Sequence, residues 1–122
     1  MHRPVKTLAV AVAVAALAGT MALSGCLDVT GGPLVRPGEP VARLDVINAS
    51  SFTINGIAIS DCRNSTYGLN RLPAGTAIRP GQSYSFTLSA GCWDVYVTQD
   101  GRAEARRRMQ IRPNMVMQYT LS

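Results

Sequence analysis

The sequence has little of the side-chain chemistry that most enzymes use. Its only histidine is His2 and its only lysine is Lys6, so the rest of the chain lacks both. Histidine is the commonest general base, lysine is the usual amine nucleophile, and serines without a histidine partner are not activated. This composition argues against a serine hydrolase and favours a protein that is not an enzyme.

Carboxylates are the remaining candidates for acid–base chemistry in residues 41–122, and there are five of them: Asp45, Asp61, Asp94, Asp100 and Glu104. Two carboxylates at the right separation can hydrolyse a glycosidic bond, so an unusual hydrolase stays open as an alternative. We favour solvated or turn-forming carboxylates, since Asp100 precedes Gly101 in a typical turn pair.

No apolar run has the length of a typical bilayer-spanning helix. The longest runs from Leu8 to Leu23 and consists mostly of Ala and Val, whereas a spanning helix needs about 20 predominantly apolar residues. Basic residues precede it and small residues follow it, which is the layout of a secretory signal peptide. We therefore predict that residues 1–25 are a cleaved leader.

The leader ends in "LSGC", residues 23–26, and these four positions fit a lipobox. In this segment the chain resembles bacterial lipoprotein precursors. The resemblance implies cleavage between Gly25 and Cys26 and a diacylglyceryl group on the Cys26 thiol. Two or more acyl chains hold a protein firmly on a membrane. The alternative is an ordinary signal peptide cut nearby, which leaves Cys26 free or paired.

The resemblance also implies a location. Asp directly after the lipid-bearing cysteine favours retention in the inner membrane of enteric bacteria, and here Leu27 occupies that position. We therefore predict a lipid-anchored protein of the bacterial cell envelope, in the outer membrane if the host has one.

Two cysteines remain, Cys62 and Cys92. An even count in an exported, oxidising compartment predicts a disulfide. Two thiols without a nearby histidine leave a tetrahedral metal ion underligated, so we predict neither a metal nor a cofactor.

Residues 27–40 read "LDVTGGPLVRPGEP", with three prolines and three glycines. This composition is typical of a flexible tether. We therefore predict a lipidated cysteine and tether over residues 26–40 and one folded domain over residues 41–122.

The folded domain alternates apolar and polar residues and turns every 8 to 12 residues, which predicts an all-β sandwich, Ig-like or similar, of six or seven strands. A glycine bulge at "NG", residues 55–56, would keep Phe52, Ile54, Ile57 and Ile59 on one face. Trp93 is expected in the core near the disulfide rather than as a ligand platform. The predicted strands are residues 42–48, 52–60, 83–89, 93–98, 102–111 and 115–122.

Four stretches between Asn48 and Val97 carry a second resemblance: "NASSFTINGIAIS", "YGLNRL", "PGQSYSF" and "GCWDVYV". With these the chain resembles a domain of bacterial secreted proteins and lipoproteins for which no activity is established. The resemblance implies a β-sandwich and carries over no catalytic residue. Gly68 and Asn70 are expected to order their loop rather than bind a ligand.

The strand "EARRRMQIR", residues 104–112, places three arginines on one face by alternation: Arg106, Arg108 and Arg112. We call them the arginine stripe. Arg107 falls on the core face, near its edge. A solvated outer face is the favoured interpretation of the stripe, and a contact surface for phosphate or carboxylate groups is the alternative.

The charge of the exported part is modest. Without Arg3 and Lys6, 10 of the 12 basic residues remain against 7 acidic ones, a net charge of +3. This balance does not argue for a nucleic-acid partner. We predict a non-enzymatic interaction or accessory module that holds an envelope protein near the membrane. The alternative is a binder of an anionic envelope polymer or of lipid head groups through the arginine stripe.

Overall fold

Six strands form two three-stranded sheets in residues 32–122, the part of the chain that this computed structural model describes. Cys26 and the predicted leader lie outside the described residues. The strands are β1 (Val41–Asn48), β2 (Ile54–Asp61), β3 (Ser83–Ser89), β4 (Gly91–Gln99), β5 (Arg102–Ile111) and β6 (Val116–Leu121).

The first sheet has the order β3-β1-β6 and the second the order β2-β4-β5. All pairings are antiparallel except that of β1 with β6, which is parallel. The inner faces of both sheets contribute to one hydrophobic core. The predicted all-β, disulfide-linked sandwich is confirmed, with six strands in the described residues. Between residues 32 and 122, no helix has the length and apolar character needed to cross a bilayer.

The core follows from the strand alternation predicted from the sequence. Trp93, Val95 and Val97 of β4 point inward and are at most 1% exposed. The indole nitrogen of Trp93 donates a hydrogen bond to the Ser89 carbonyl oxygen at 2.8 Å. A buried tryptophan needs such an acceptor for its only polar group, so the prediction that Trp93 belongs to the core is confirmed.

A bulge in β2 lies at the predicted "NG" pair. The register against β4 shifts between Ile54 and Gly56, and Ile54, Ile57 and Ile59 are all fully buried. A β-carbon on Gly56 would lie 2.6 Å from Thr98 Oγ1, so a larger residue here would require the Thr98 side chain to shift. Phe52 differs from the expectation: it precedes β2 and is 36% exposed.

The predicted disulfide between Cys62 and Cys92 is confirmed, with Cα atoms 5.5 Å apart. It fixes the start of the loop of residues 62–82 against β4. The loop then runs along the free edge of β2, where Ile54 and Ile78 exchange two backbone hydrogen bonds of 2.9 Å. An uncovered strand edge can pair with another chain. This loop covers the edge of β2 and so prevents such pairing there.

Residues 32–40 also lie against the sandwich, although the sequence suggests a tether there. The Leu34 carbonyl accepts a hydrogen bond of 2.8 Å from the Ser89 amide, and the Pro40 carbonyl accepts one of 2.8 Å from the Ala90 amide. The Arg36 amide donates to Ser89 Oγ at 2.7 Å. This segment is therefore fixed at the β3–β4 connection.

Candidate binding site on the outer face of the second sheet

The outer face of the second sheet carries acidic, aromatic, hydroxyl and basic side chains. Because Trp93, Val95 and Val97 point into the core, Asp94, Tyr96 and Thr98 point outward. On the neighbouring strand β5, Arg108 pairs with Asp94, and Arg106 pairs with Tyr96. The loop of residues 62–82 crosses the β2 side of this face. Side chains of β2, of β4 and of this loop therefore meet there.

A pocket of about 170 Å³ lies where the loop meets the sheet. Small residues of β2 form its floor. The loop forms one wall of the pocket and β4 forms the other. Its lining residues are Gly56, Ala58, Gly68, Asn70, Tyr96 and Thr98.

Two tyrosines and an arginine stand beside this pocket. The rings of Tyr67, from the loop, and Tyr96, from β4, have centroids 5.0 Å apart. The Arg106 guanidinium carbon lies 5.1 Å from the centre of the Tyr96 ring and 5.9 Å from that of Tyr67. Such distances allow cation–π attraction. We call Tyr67, Tyr96 and the pocket they adjoin the tyrosine pocket.

The Tyr96 hydroxyl is neutral in this setting. Loss of surrounding water raises the pKa of Tyr96, and its hydrogen bond with Glu104 raises this pKa further, against an opposing effect of Arg106. Since the ordinary value is already near 10, the hydroxyl remains protonated at neutral pH. The hydroxyl therefore donates its hydrogen to the Glu104 carboxylate, and this contact fixes the hydroxyl beside the tyrosine pocket.

Asn70 holds the loop wall of the pocket in place. Its Oδ1 accepts hydrogen bonds from the amides of Ile57 at 2.9 Å and Leu72 at 3.1 Å. Gly68 has a φ of 78°, a left-handed conformation that glycine adopts without strain. The prediction that Gly68 and Asn70 order this loop is confirmed, and both also line the pocket.

Thr98 on the opposite wall is held as well. Its hydroxyl donates a hydrogen bond of 2.6 Å to Asn55 Oδ1, while the Asn55 amide group donates to Asp100 Oδ1. Both walls are therefore preorganised, which lowers the cost of ordering side chains when a partner binds.

The three arginines of the arginine stripe have different contacts. Arg108 forms a bidentate pair with Asp94, with N–O distances of 2.8 and 3.0 Å. Arg106 lies over the two tyrosine rings, and Arg112 follows the end of β5 without an ion pair to any residue of 32–122. Because Asp94 already occupies one of the three guanidinium forks, two stripe arginines remain for a contact with anions.

Arg107 points to the other face of β5, as predicted. Its guanidinium carbon lies 5.7 Å from the centre of the Tyr119 ring in β6. Tyr119 belongs to the first sheet and is 7% exposed. The contact therefore joins the two sheets at the side where β5 and β6 form their edges.

Sequence patterns did not reveal the tyrosine pocket. Tyr67 lies in an irregular loop without periodicity, and contacts distant in sequence, the Cys62–Cys92 bond and the hydrogen bonds of Asn70, hold this loop against the sheet. The predicted disulfide was the only signal that this loop is held near β4. Residues 32–122 contain no group of three or more His, Cys, Asp or Glu side chains placed to hold a metal ion.

Comparison with known proteins gives no match, neither to a protein-family model nor to a curated protein sequence.

Proposed function

We propose that this chain is a lipid-anchored, non-enzymatic module of the bacterial cell envelope that binds a protein partner at the tyrosine pocket. The basic and apolar leader and the "LSGC" stretch support the lipid on Cys26. The observation that carries the binding role is the tyrosine pair beside a small preformed pocket.

The size of the pocket favours a protein partner over a small molecule. Sites for small ligands usually enclose about 300–1,000 Å³, whereas this pocket has about 170 Å³. A pocket of this size accommodates one apolar side chain that protrudes from a partner surface. Buried anchors of this kind, surrounded by Tyr and Arg, are typical of the centres of protein interfaces.

Leu69 is an exposed apolar residue of the same loop. It lies between Gly68 and Asn70, which line the pocket, and it is 60% exposed, the highest value among the exposed large hydrophobic residues of the described chain. Full burial of an exposed leucine side chain contributes about 1.5–3 kcal/mol, and the part of Leu69 that is still exposed can contribute its share of this in an interface. The pocket and Leu69 together provide the apolar centre of an interface, and Arg106 and Glu104 provide its polar rim.

The carboxylates support a non-enzymatic role. Asp45 pairs with Arg43, Asp61 with Arg63, and Asp94 with Arg108. Asp100 accepts a hydrogen bond from Asn55, and Glu104 interacts with Tyr96. Each of the five candidates therefore has a structural partner in the described chain.

Site-specific photocrosslinking in cells tests the proposal. A photoreactive residue in place of Leu69 should give one discrete crosslinked protein, and Tyr96→Ala should remove that product without lowering the amount of the lipoprotein. The matched control is a photoreactive residue in place of Gln118, which is exposed on the first sheet. Equal products from both positions, or a product that Tyr96→Ala leaves unchanged, would show that the tyrosine pocket is not the binding site.

The alternative is binding of an anionic polymer or lipid head group through the arginine stripe. The dependence of binding on salt concentration distinguishes this alternative from a protein partner at the tyrosine pocket. Charge-driven binding weakens strongly with ionic strength, whereas insertion of an apolar side chain depends little on it. Changing Arg106, Arg108 and Arg112 together to Gln should leave the melting temperature nearly unchanged, because exposed ion pairs contribute only about 0–1 kcal/mol. A loss of salt-sensitive binding to lipopolysaccharide in this variant would favour the alternative.

A further inference from the structure

The sandwich has two ends, and strand termini from both sheets lie together at each of them. Val41 pairs with Ser89, Asp61 with Trp93, and Gly91 with Ile111. The starts of β1, β4 and β6 therefore lie together with the last residues of β2, β3 and β5. We call this the proximal end, because residues 32–40, which lead toward Cys26, are fixed there.

Exposed apolar side chains concentrate at the proximal end. Of the five large hydrophobic residues that are exposed in the described chain, three lie there: Val35, Val41 and Val116, each between 42% and 46% exposed. Val41 and Val116 belong to the outer face of neighbouring strands, since Val116 pairs with Arg43, two residues after Val41. Val35 lies between two residues that contact Ser89, the strand partner of Val41.

Arginines accompany these valines. Arg43 and Arg63 are 52% and 84% exposed in their side chains, and Arg112 lies in the turn between β5 and β6. Three carboxylates, Glu39, Asp45 and Asp61, take part in ion pairs at the same end. Counting Arg36 as well, the end has four arginines against these three carboxylates. Apolar side chains bordered by arginines suit the interface between lipid head groups and acyl chains.

The chain leaves little distance between this end and the proposed anchor. Five residues, 27–31, separate Cys26 from Gly32, and six residue steps span at most about 20 Å. Residues 34, 36 and 40 are hydrogen-bonded to Ser89 and Ala90. Because residues 32–40 are held in this way, they cannot extend to increase the distance between Cys26 and the sandwich. A lipid on Cys26 would therefore hold the proximal end next to the membrane surface.

We infer that the proximal end is a membrane-contacting surface, with Val35, Val41 and Val116 in the head-group region of the bilayer. The inference rests on the proposed lipid at Cys26. The occupant is a lipid surface because the anchor holds this end within reach of one. The domain then has a fixed orientation, with its strands rising from the membrane.

Fluorescence quenching on the mature, lipidated protein, expressed from the full sequence and placed in vesicles of phosphatidylethanolamine and phosphatidylglycerol, tests this orientation. Cys62 and Cys92 are bonded to each other, so a fluorophore can be attached to one added cysteine. Val116→Cys and Thr120→Cys are a matched pair, because both positions are exposed on the same face of β6 and only Val116 lies at the proximal end. A quencher on the lipid head groups should remove most emission at position 116 and little at position 120.

Two further measurements make the outcome decisive. Mass spectrometry of each labelled protein reports whether Cys26 carries lipid, so a missing lipid contradicts the proposed anchor itself. Equal quenching at positions 116 and 120 in protein that does carry lipid overturns the orientation alone. Val35→Cys is the control for a local effect in β6. This position lies outside β6, and a fluorophore there should be quenched as strongly as one at position 116.

Discussion

The guanidinium carbon of Arg36 lies 4.9 Å from the centre of the Trp93 ring. Trp93 is a core residue, whereas Arg36 precedes the first strand. The same guanidinium group pairs with Asp61 at 3.3 Å and with Glu39 at 2.6 Å. Arg36 therefore joins the segment before β1 to the ends of β2 and β4.

Removal of this link should destabilise the domain. Arg36→Ala loses a largely desolvated cation–π contact and two ion pairs, and we expect the free energy of unfolding to fall by about 1–2 kcal/mol. Urea denaturation measures the change. Arg79→Ala is the control, because the Arg79 side chain is exposed and its hydrogen bond to Gln82 uses the backbone amide. Equal effects of the two substitutions would contradict a specific role for Arg36.

The disulfide should stabilise both the domain and the tyrosine pocket. Its cysteines are 30 residues apart, and a loop of this length predicts a loss of about 2–4 kcal/mol when both are changed to Ala. Because the bond holds the loop that carries Tyr67, crosslinking from position 69 should also weaken under conditions in which the variant remains folded. A variant with unchanged urea midpoint and unchanged crosslinking would contradict this role.

Acid should weaken the domain through Asp61. Hydrogen bonds from the Arg63 side chain, with further contributions from the Arg63 backbone and from Arg36, lower the pKa of Asp61 from 3.8 to about 2. A lowered pKa stabilises the folded state fully above the unfolded value near 4, and this stabilisation disappears as the pH falls toward 2. It amounts to about 1–2 kcal/mol.

Asp61→Asn isolates this contribution. The difference in unfolding free energy between wild type and Asp61→Asn should be largest above pH 4 and should shrink between pH 4 and pH 2. Arg63→Gln should show the same trend with a smaller amplitude, since Arg36 still contacts Asp61. A difference that stays constant over this range would show that the ion pairs of Asp61 do not affect stability.

Gly56→Ala should disturb the β2 bulge through Thr98. The added carbon would lie 2.6 Å from Thr98 Oγ1, and this hydroxyl is held by its bond to Asn55. We expect a loss of about 1–3 kcal/mol, as for other overpacked sites. Thr98→Ala should restore part of the stability in the double variant, because it removes the clashing oxygen. Additive losses in the double variant would place the strain elsewhere.

Local patterns were sufficient to predict the strands. The bounds of β3 and β5 agree with the sequence prediction at both ends, because alternation and turn residues are properties of neighbouring positions. The bulge was predictable because a single added residue keeps Ile54 and Ile57 on one face. The disulfide was predictable from the count of cysteines.

The site and the docked segment depend on contacts that no local pattern records. Tyr67 meets Tyr96, and Arg36 meets Trp93, across intervals of 29 and 57 residues. Proline and glycine in residues 32–40 correctly indicated the absence of regular structure. They carried no information on whether that irregular chain lies against the domain or away from it.

The parallel pairing of β1 with β6 has a consequence for biogenesis. Arg43 of β1 pairs with Val116 of β6, 73 positions later in the chain. The first sheet therefore cannot be completed until residue 121, the end of β6, has been synthesised. Contacts of such long range also form slowly. If the chain is exported as proposed, β1 lacks the neighbour that β6 provides during passage through a secretion channel, and we expect the polypeptide to remain unfolded until β6 has crossed the membrane.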